Sequence, residues 1–501
     1  MSRRLTLSLG LRYELSDALK ESDLQGGNFF PDLGLVPLGS QLKRIYNIDK
    51  DNFGPRAGFA WDVFGNGKTA LRAGYALTYD VPNFGSIHAP RTAFWNGARA
   101  GAFTNITQGD FSKQATGTGA SDIGASNVNS CFDVPGSGAQ WVCGGTGHLL
   151  YGANPTGDPP FNAMGIVRNL QTPMYHYYNA TIQQQVLVNS VLTISYVGSR
   201  GQDLLMYRDL NARPLGCFGR FSDPACARPF DSKFTVPCAA GTCPEFRTVV
   251  QLTNDSKSWY NSLQVSFRQR NWHGINTQYN FTWSRCIDYN SINRGSRSNA
   301  PQAQNPYNPA DSKGPCIYDV PRNFNLGGTY DIPKAKFLGR FGEGWQIGAV
   351  ATVLDGRPFT ALIGSRDRSG QDLNGNIRAD CLAAPIYNPR DPRHYVANPT
   401  AFKAPANNKL GSCGRNSLRG PGFAQWDMSL FKDTRLTERT KFQFRWEVFN
   451  VLNRANFGDP ATNARFSNSF GTINLTPDTT SSPVLAQGAA RNMQFVFKFI
   501  F

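Results

Sequence analysis

From Arg491 to Phe501 the chain alternates with a period of two. Met493, Phe495, Phe497, Phe499 and Phe501 fall on one face, and Asn492, Gln494 and Lys498 on the other, with Val496 and Ile500 as apolar exceptions. Successive strand side chains point to opposite faces, so this pattern predicts a strand with one aromatic and one mostly polar surface. In a soluble protein the aromatic surface needs a second layer to cover it. In an outer-membrane barrel it meets lipid.

The same pattern recurs from the first residues onward. Leu5, Leu7, Leu9, Leu11 and Tyr13 oppose Thr6, Ser8, Gly10, Arg12 and Glu14. Ala57, Phe59, Trp61 and Val63 oppose Arg56, Gly58, Ala60 and Asp62. Gly65-Asn66-Gly67 then predicts a tight hairpin turn, because Asn and Gly tolerate positive φ. The returning strand sets Leu71, Tyr75, Leu77 and Tyr79 against Arg72, Gly74 and Thr78. Further strands are predicted over 174–188 and 191–198, 258–270 and 275–285, 321–332 and 344–354, and 423–432 and 438–452. In the last of these, Phe442, Phe444, Trp446 and Val448 oppose Lys441, Gln443, Arg445 and Glu447. About twelve strands result, each able to supply the roughly 9–11 tilted residues that an outer membrane requires.

Connection length alternates short, long, short, long along the chain. With the C-terminus periplasmic, every short connection is a periplasmic turn and every long one an extracellular loop. A soluble sandwich has no reason to sort its loops by parity. A propeller would show a repeating sequence period, and none is present. The pattern therefore predicts an all-β, antiparallel, up-and-down transmembrane β-barrel. Its sheet is expected to curl into a barrel-like form under irregular outer loops.

Composition changes that picture little. Hydrophobic residues make up 40% and the mean hydropathy is −0.39. Those averages fit a barrel, in which lipid-facing and lumen-facing residues alternate. No apolar run approaches the length of a spanning helix. The net charge of +16 first suggests nucleic acid, but Lys and Arg are scattered, so no nucleic-acid partner is expected. Charges on a lumen or near an anionic cell surface are the simpler reading.

All ten cysteines fall in or beside the long connections: Cys131, Cys143, Cys217, Cys226, Cys238, Cys243, Cys286, Cys316, Cys381 and Cys413. Each such loop holds an even number. Local pairs Cys131–Cys143, Cys286–Cys316 and Cys381–Cys413 would staple loops in an oxidising compartment, whereas pairing among Cys217, Cys226, Cys238 and Cys243 is open. No CxxC spacing supports a metal site, and none is expected.

The remaining candidates for chemistry are weak. Gly67-Lys68-Thr69 matches the tail of a phosphate-binding loop, but Asp62 replaces its first glycine and a strand follows. Asp372, Asn374, Asn376 and Asp380 have calcium-loop spacing, yet Gly375 is misplaced and Ala383 stands where the bidentate Glu belongs. No nucleophile is paired with a base, so neither an enzyme nor a cofactor is expected. Arg56, Asp62, Arg72, Arg445, Glu447 and Lys498 are the charges expected to face a lumen. Trp and Tyr near strand ends, such as Tyr13, Trp61, Trp283 and Trp446, suit an interfacial girdle.

Several segments resemble the C-terminal barrel of TonB-dependent outer-membrane receptors, in particular the Oar-like group. They are Arg4 to Glu14, Asn52 to Trp61, Thr69 to Tyr75, Arg415-Asn-Ser-Leu-Arg-Gly-Pro-Gly-Phe423, Trp426 to Lys432, Phe442 to Asn453 and Asn456-Phe-Gly458. The aromatic end Phe495, Phe497, Phe499 and Phe501 is similar to the signal read by the barrel-assembly machinery. The resemblance implies a barrel of about 22 strands with a plugged lumen, preceded by a signal peptide, a TonB-contacting segment and the plug. Residues 1–501 are read as one partial barrel domain without those parts. The expected role is uptake of a bulky nutrient, its identity open, in contact with outer-membrane lipid. The TonB complex would take part only through an upstream plug. A surface or adhesion protein that binds through its large loops is the alternative.

Overall fold

The computed structural model describes residues 4–18, 27–37, 42–80, 161–238, 241–244, 246–291, 303–364, 367–371, 377–464, 468–474, 476 and 490–501. Twelve long strands carry the fold. They are β1 Leu5–Tyr13, β2 Phe53–Asp62, β3 Thr69–Tyr79, β4 Met174–Leu187, β5 Ser190–Asp209 and β6 Phe246–Trp272. The other six are β7 Ile275–Asp288, β8 Arg322–Asp331, β9 Trp345–Leu354, β10 Phe423–Arg435, β11 Lys441–Phe449 and β12 Asn492–Ile500. Each pairs antiparallel with the next, from β1 through to β12. Phe161–Ile166, parallel to β6, and Gly314–Pro315, beside β7, complete a 14-stranded sheet. Among the described residues β1 and β12 do not pair with each other, so the ladder is open at both edges.

Directly opposed residues share a face, and the register therefore carries one face across the whole sheet. Leu9 lies opposite Ala57, Ala57 opposite Tyr75, and Tyr75 opposite Tyr178. Further along, Tyr196 opposes Leu263 and Leu263 opposes Trp283. At the far edge Met428 opposes Val448, and Val448 opposes Met493. The predicted apolar rows thus join into one surface. That surface is uncovered: Leu9 is 81% exposed, Trp283 62% and Phe497 64%.

The buried cores lie elsewhere, among the long connections. Phe359, Ile363, Ile377, Tyr395, Phe402, Leu418 and Phe470 pack into one cluster that joins the 355–422 and 450–491 connections. Ile45, Ile166, Leu205, Tyr207, Val250 and Leu252 form a second. Phe29, Phe230, Phe246 and Val249 form a third. Short ladders run through this layer, Pro358–Phe359 with Leu418–Arg419 and Asp380–Cys381 with Phe402–Lys403. The expectation of irregular loops is corrected here. The described parts of the connections form a folded canopy at one end of the sheet, because together they bury enough apolar surface to order themselves.

The canopy also explains where strand lengths differ from the sequence reading. β5 and β6 extend as one ladder through Asp209 and Val250, where loop was expected. Leu205, Tyr207, Val250 and Leu252 are buried there under canopy residues. A segment covered on both faces loses its period of two.

At the opposite end the connections are short: 63–68, 188–189, 273–274 and 436–440, with 332–344 the longest. Gly65 and Gly67 take positive φ of 73° and 71° in the first turn, as that turn requires. Loop parity therefore holds in the structure from β1 to β12.

Candidate functional site

The polar face of the sheet encloses a cavity of about 1060 Å³ that reaches from Arg268 on β6 to Gln494 on β12. Laid flat, those strands would be six spacings of about 4.8 Å apart, roughly 29 Å. Their side chains border one cavity because the sheet curls with its polar face inward. Gln278, Thr329, Thr352, Gln425, Asp427 and Glu447 contribute to the wall. Gly327 and Gly348, on the same face, leave it room.

The six charged residues singled out from sequence lie on this polar face. Arg72 donates to Gln183, and Glu447 accepts from Gln494. Arg445 donates from Nε to Gln443 Oε1 at 2.8 Å and stacks 5.3 Å over Phe431. Arg56 and Lys498 have no ion-pair partner among the described residues. Asp62 ends β2 and turns to the hairpin, accepting from the amides of Gly65 at 2.9 Å and Gly67 at 3.0 Å. Only Glu447 of the six borders the cavity; the others are spread along the rest of the polar surface.

The rings of Phe495, Phe497 and Phe499 form a ladder on the apolar face. Trp446 stacks on Phe495 at 6.3 Å, Phe444 lies 5.4 Å from Phe497, and Phe442 lies 5.0 Å from Phe499. Phe501 is 92% exposed at the end of that row. Lys432 also projects toward the apolar side, opposite Trp345 and Phe444. Its ammonium bends to the short-turn rim and donates to the Glu343 carbonyl at 2.5 Å, 5.8 Å from the Trp345 ring centre. Long cationic side chains escape an apolar surface in this way.

Over the cavity end, the segment 415–423 bolts the canopy to the sheet. Arg415 forms an ion pair with Asp288 at the end of β7 and donates to the Ser312 carbonyl at 2.6 Å and the Gly314 carbonyl at 3.2 Å. Arg419 pairs with Asp319 and donates to the Asp319 carbonyl at 2.8 Å. Asn416 donates to the Pro315 carbonyl at 2.7 Å. Gly420 packs so close to Gly356 that a Cβ on Gly356 would lie 1.7 Å from the Gly420 carbonyl oxygen. Arg378, in the same layer, holds Gln304 at 2.9 Å and pairs with Asp311. Burial lowers its pKa from the usual arginine value, against the opposing pull of Asp311. These roles escaped the sequence reading because the arginines meet partners 67 to 127 residues away.

Three disulfides staple the same layer: Cys217–Cys226, Cys286–Cys316 and Cys381–Cys413. The first resolves part of the pairing left open by sequence, and the other two are the expected local pairs. Cys243 is disulfide-bonded as well. Cys131 and Cys143 lie outside the described residues, as does 372–376 of the calcium-spaced segment. Among the described residues no group of three or more His, Cys, Asp or Glu is placed to hold a metal ion.

A sheet with one uncovered apolar face, one concave polar face and all its long connections at one end is the architecture of an outer-membrane barrel wall. Residues 1–494 match the family described as outer membrane beta barrel domain, and the chain belongs to that family. It is a protein of the outer membrane. No curated protein sequence matches it. Among solved structures, it is similar to the outer membrane transporter YddB from Escherichia coli, at 13% identity and TM-score 0.44, over 91% of this chain and 41% of that one. It is also similar to the FrpB iron transporter from Neisseria meningitidis, at 10% identity and TM-score 0.42, over 100% of this chain and 44% of that one. The ferripyoverdine receptor of the Pseudomonas aeruginosa outer membrane matches at 10% identity and TM-score 0.37, over 93% and 34%. The chain spans less than half the length of these solved structures.

Proposed function

We propose that β1–β12 are membrane-spanning wall strands of a TonB-dependent, Oar-like transporter, with the canopy outside the cell and the short turns in the periplasm. The polar cavity is then part of the passage for a bulky nutrient, and a plug engaged by the TonB complex would gate it. The reading places Arg56, Arg72, Arg445, Glu447 and Lys498 along that passage and gives Phe495, Phe497, Phe499 and Phe501 to the assembly machinery. The observation that supports it best is the pairing of a cavity of about 1060 Å³ on the polar face with an uncovered apolar face behind it. A structural wall alone needs no such cavity.

Growth on limiting nutrients tests the proposal. A strain lacking the gene should fail on one nutrient class and recover when the native gene is restored. Equal growth of both strains on every nutrient would contradict it.

The second reading is a surface protein that binds a partner without transport. The canopy favours it to this extent: its loops have their own cores and disulfides, as a rigid binding platform would. Loss of cell attachment, with nutrient uptake unchanged, would select that reading.

A further inference from the structure

A second, smaller cavity of about 300 Å³ lies where the polar face meets the canopy, apart from the large one. Its lining includes Asp80, Tyr175, Tyr177, Trp259, Tyr260 and Tyr318. These come from β3's end, β4, β6 and the 289–321 connection, so the fold assembles one site from distant segments. Tyr175 and Tyr177 stand in parallel on one wall, ring centres 6.0 Å apart with an interplanar angle of 21°.

The electrostatics point one way. Two carboxylates line the cavity, Asp80 and Asp288, and no Lys or Arg does. Asp288 is committed to Arg415 and to the Ser291 hydroxyl at 2.7 Å. Asp80 has no ion-pair partner among the described residues, while its backbone amide is pinned to the Pro173 carbonyl at 2.8 Å. Burial first, and the nearby charge of Glu14 second, raise its pKa above the usual carboxylate value. A cation placed beside it would relieve that cost. Aromatic faces attract cations through the ring quadrupole, and cages of this kind recognise substituted ammonium groups.

We propose that this cavity binds an organic ammonium group, with Asp80 as counter-ion and the faces of Tyr175, Tyr177 and Tyr260 as the cage. The assignment rests on reading the polar face as a transport passage. There the site would receive the ammonium-bearing end of the cargo after it passes the canopy. A volume of about 300 Å³ holds a small headgroup rather than a whole bulky ligand.

The test is titration of the full chain in detergent micelles with choline and with 3,3-dimethylbutan-1-ol, its uncharged isostere, followed by tryptophan fluorescence and calorimetry. Maltose serves as the neutral, hydroxyl-rich competitor. Choline should bind at least roughly tenfold more tightly than the isostere. Asp80→Asn and Tyr175→Leu should each weaken choline by a similar factor, with the heat-dependent gel mobility of a folded barrel retained. If a variant does not fold, the comparison of choline with its isostere on the unaltered protein decides alone. Equal binding of the two, no choline binding, or binding of maltose only would overturn the proposal. Binding in micelles needs no uptake, so a chain that binds choline but imports nothing would contradict the transport reading and leave this site standing.

Discussion

At the scale of single residues, the side chain that ties most of the molecule together is Arg415. It neutralises Asp288, whose side chain is 2% exposed, and donates to the backbone carbonyls of Asp288 itself and of Ser312 and Gly314 on another connection. Removing one partner of a buried pair leaves an uncompensated charge, at a cost of about 3–5 kcal/mol. Arg415→Ala should therefore loosen the canopy by that amount. Hydrogen exchange should rise through 303–321 and 411–420, while the central strands stay protected. Arg415→Lys should recover only part of the loss, since a single ammonium cannot span the same acceptors. Asp62 illustrates a different residue-scale lesson. Its position in the alternation suggested a lumen charge, but its carboxylate organises the hairpin through Gly65 and Gly67. Asp62→Ala should cost about 0.5–1.5 kcal/mol in unfolding titrations, the net worth of hydrogen bonds to exposed amides that water can take over.

At the scale of the element, each strand is a two-sided object, apolar on one face and mostly polar on the other. On β6, Leu263 lies on the apolar face between Tyr196 and Trp283, and Gln264 on the polar face beside the Ser262 hydroxyl. A charge facing hydrocarbon at the bilayer midplane costs about 2–4 kcal/mol, and far less on a wet face. In lipid vesicles, guanidinium unfolding of Leu263→Arg should show that loss, and Gln264→Arg should stay within about 1 kcal/mol of the native chain. The staples act on the canopy instead. Replacing Cys286 and Cys316 together by serine should cost about 2–4 kcal/mol. It should bring tryptic cleavage within 303–321 without altering the mobility of the folded sheet.

At the scale of the whole molecule, the features legible in the sequence were those with a local signature. The alternating rows, the Gly-Asn-Gly and Asn189 turns, the sorting of connection lengths and the Cys286–Cys316 and Cys381–Cys413 pairs each depend on neighbours in sequence. The canopy had no such signature. Phe359, Phe402 and Phe470 come from separate segments and meet only in the folded layer. The outer halves of β5 and β6 were hidden for a related reason: covered on both faces, they carry no period. Curling of the sheet, and so the cavity between Arg268 and Gln494, depends on twist and register summed over seven strands. No short segment records it. The block 415–423 stood out as a motif, but its purpose became visible only with Asp288 and Asp319 beside it.

The central claim is that the joined apolar rows face hydrocarbon. Its most direct test is a nitroxide scan along residues 261–267 of β6 in lipid vesicles, reading collision with oxygen and with a water-soluble nickel chelate. Oxygen contact should peak at 261, 263, 265 and 267, and nickel contact at 262, 264 and 266. Nickel contact at the odd positions, or odd positions closed to both reagents, would contradict the claim.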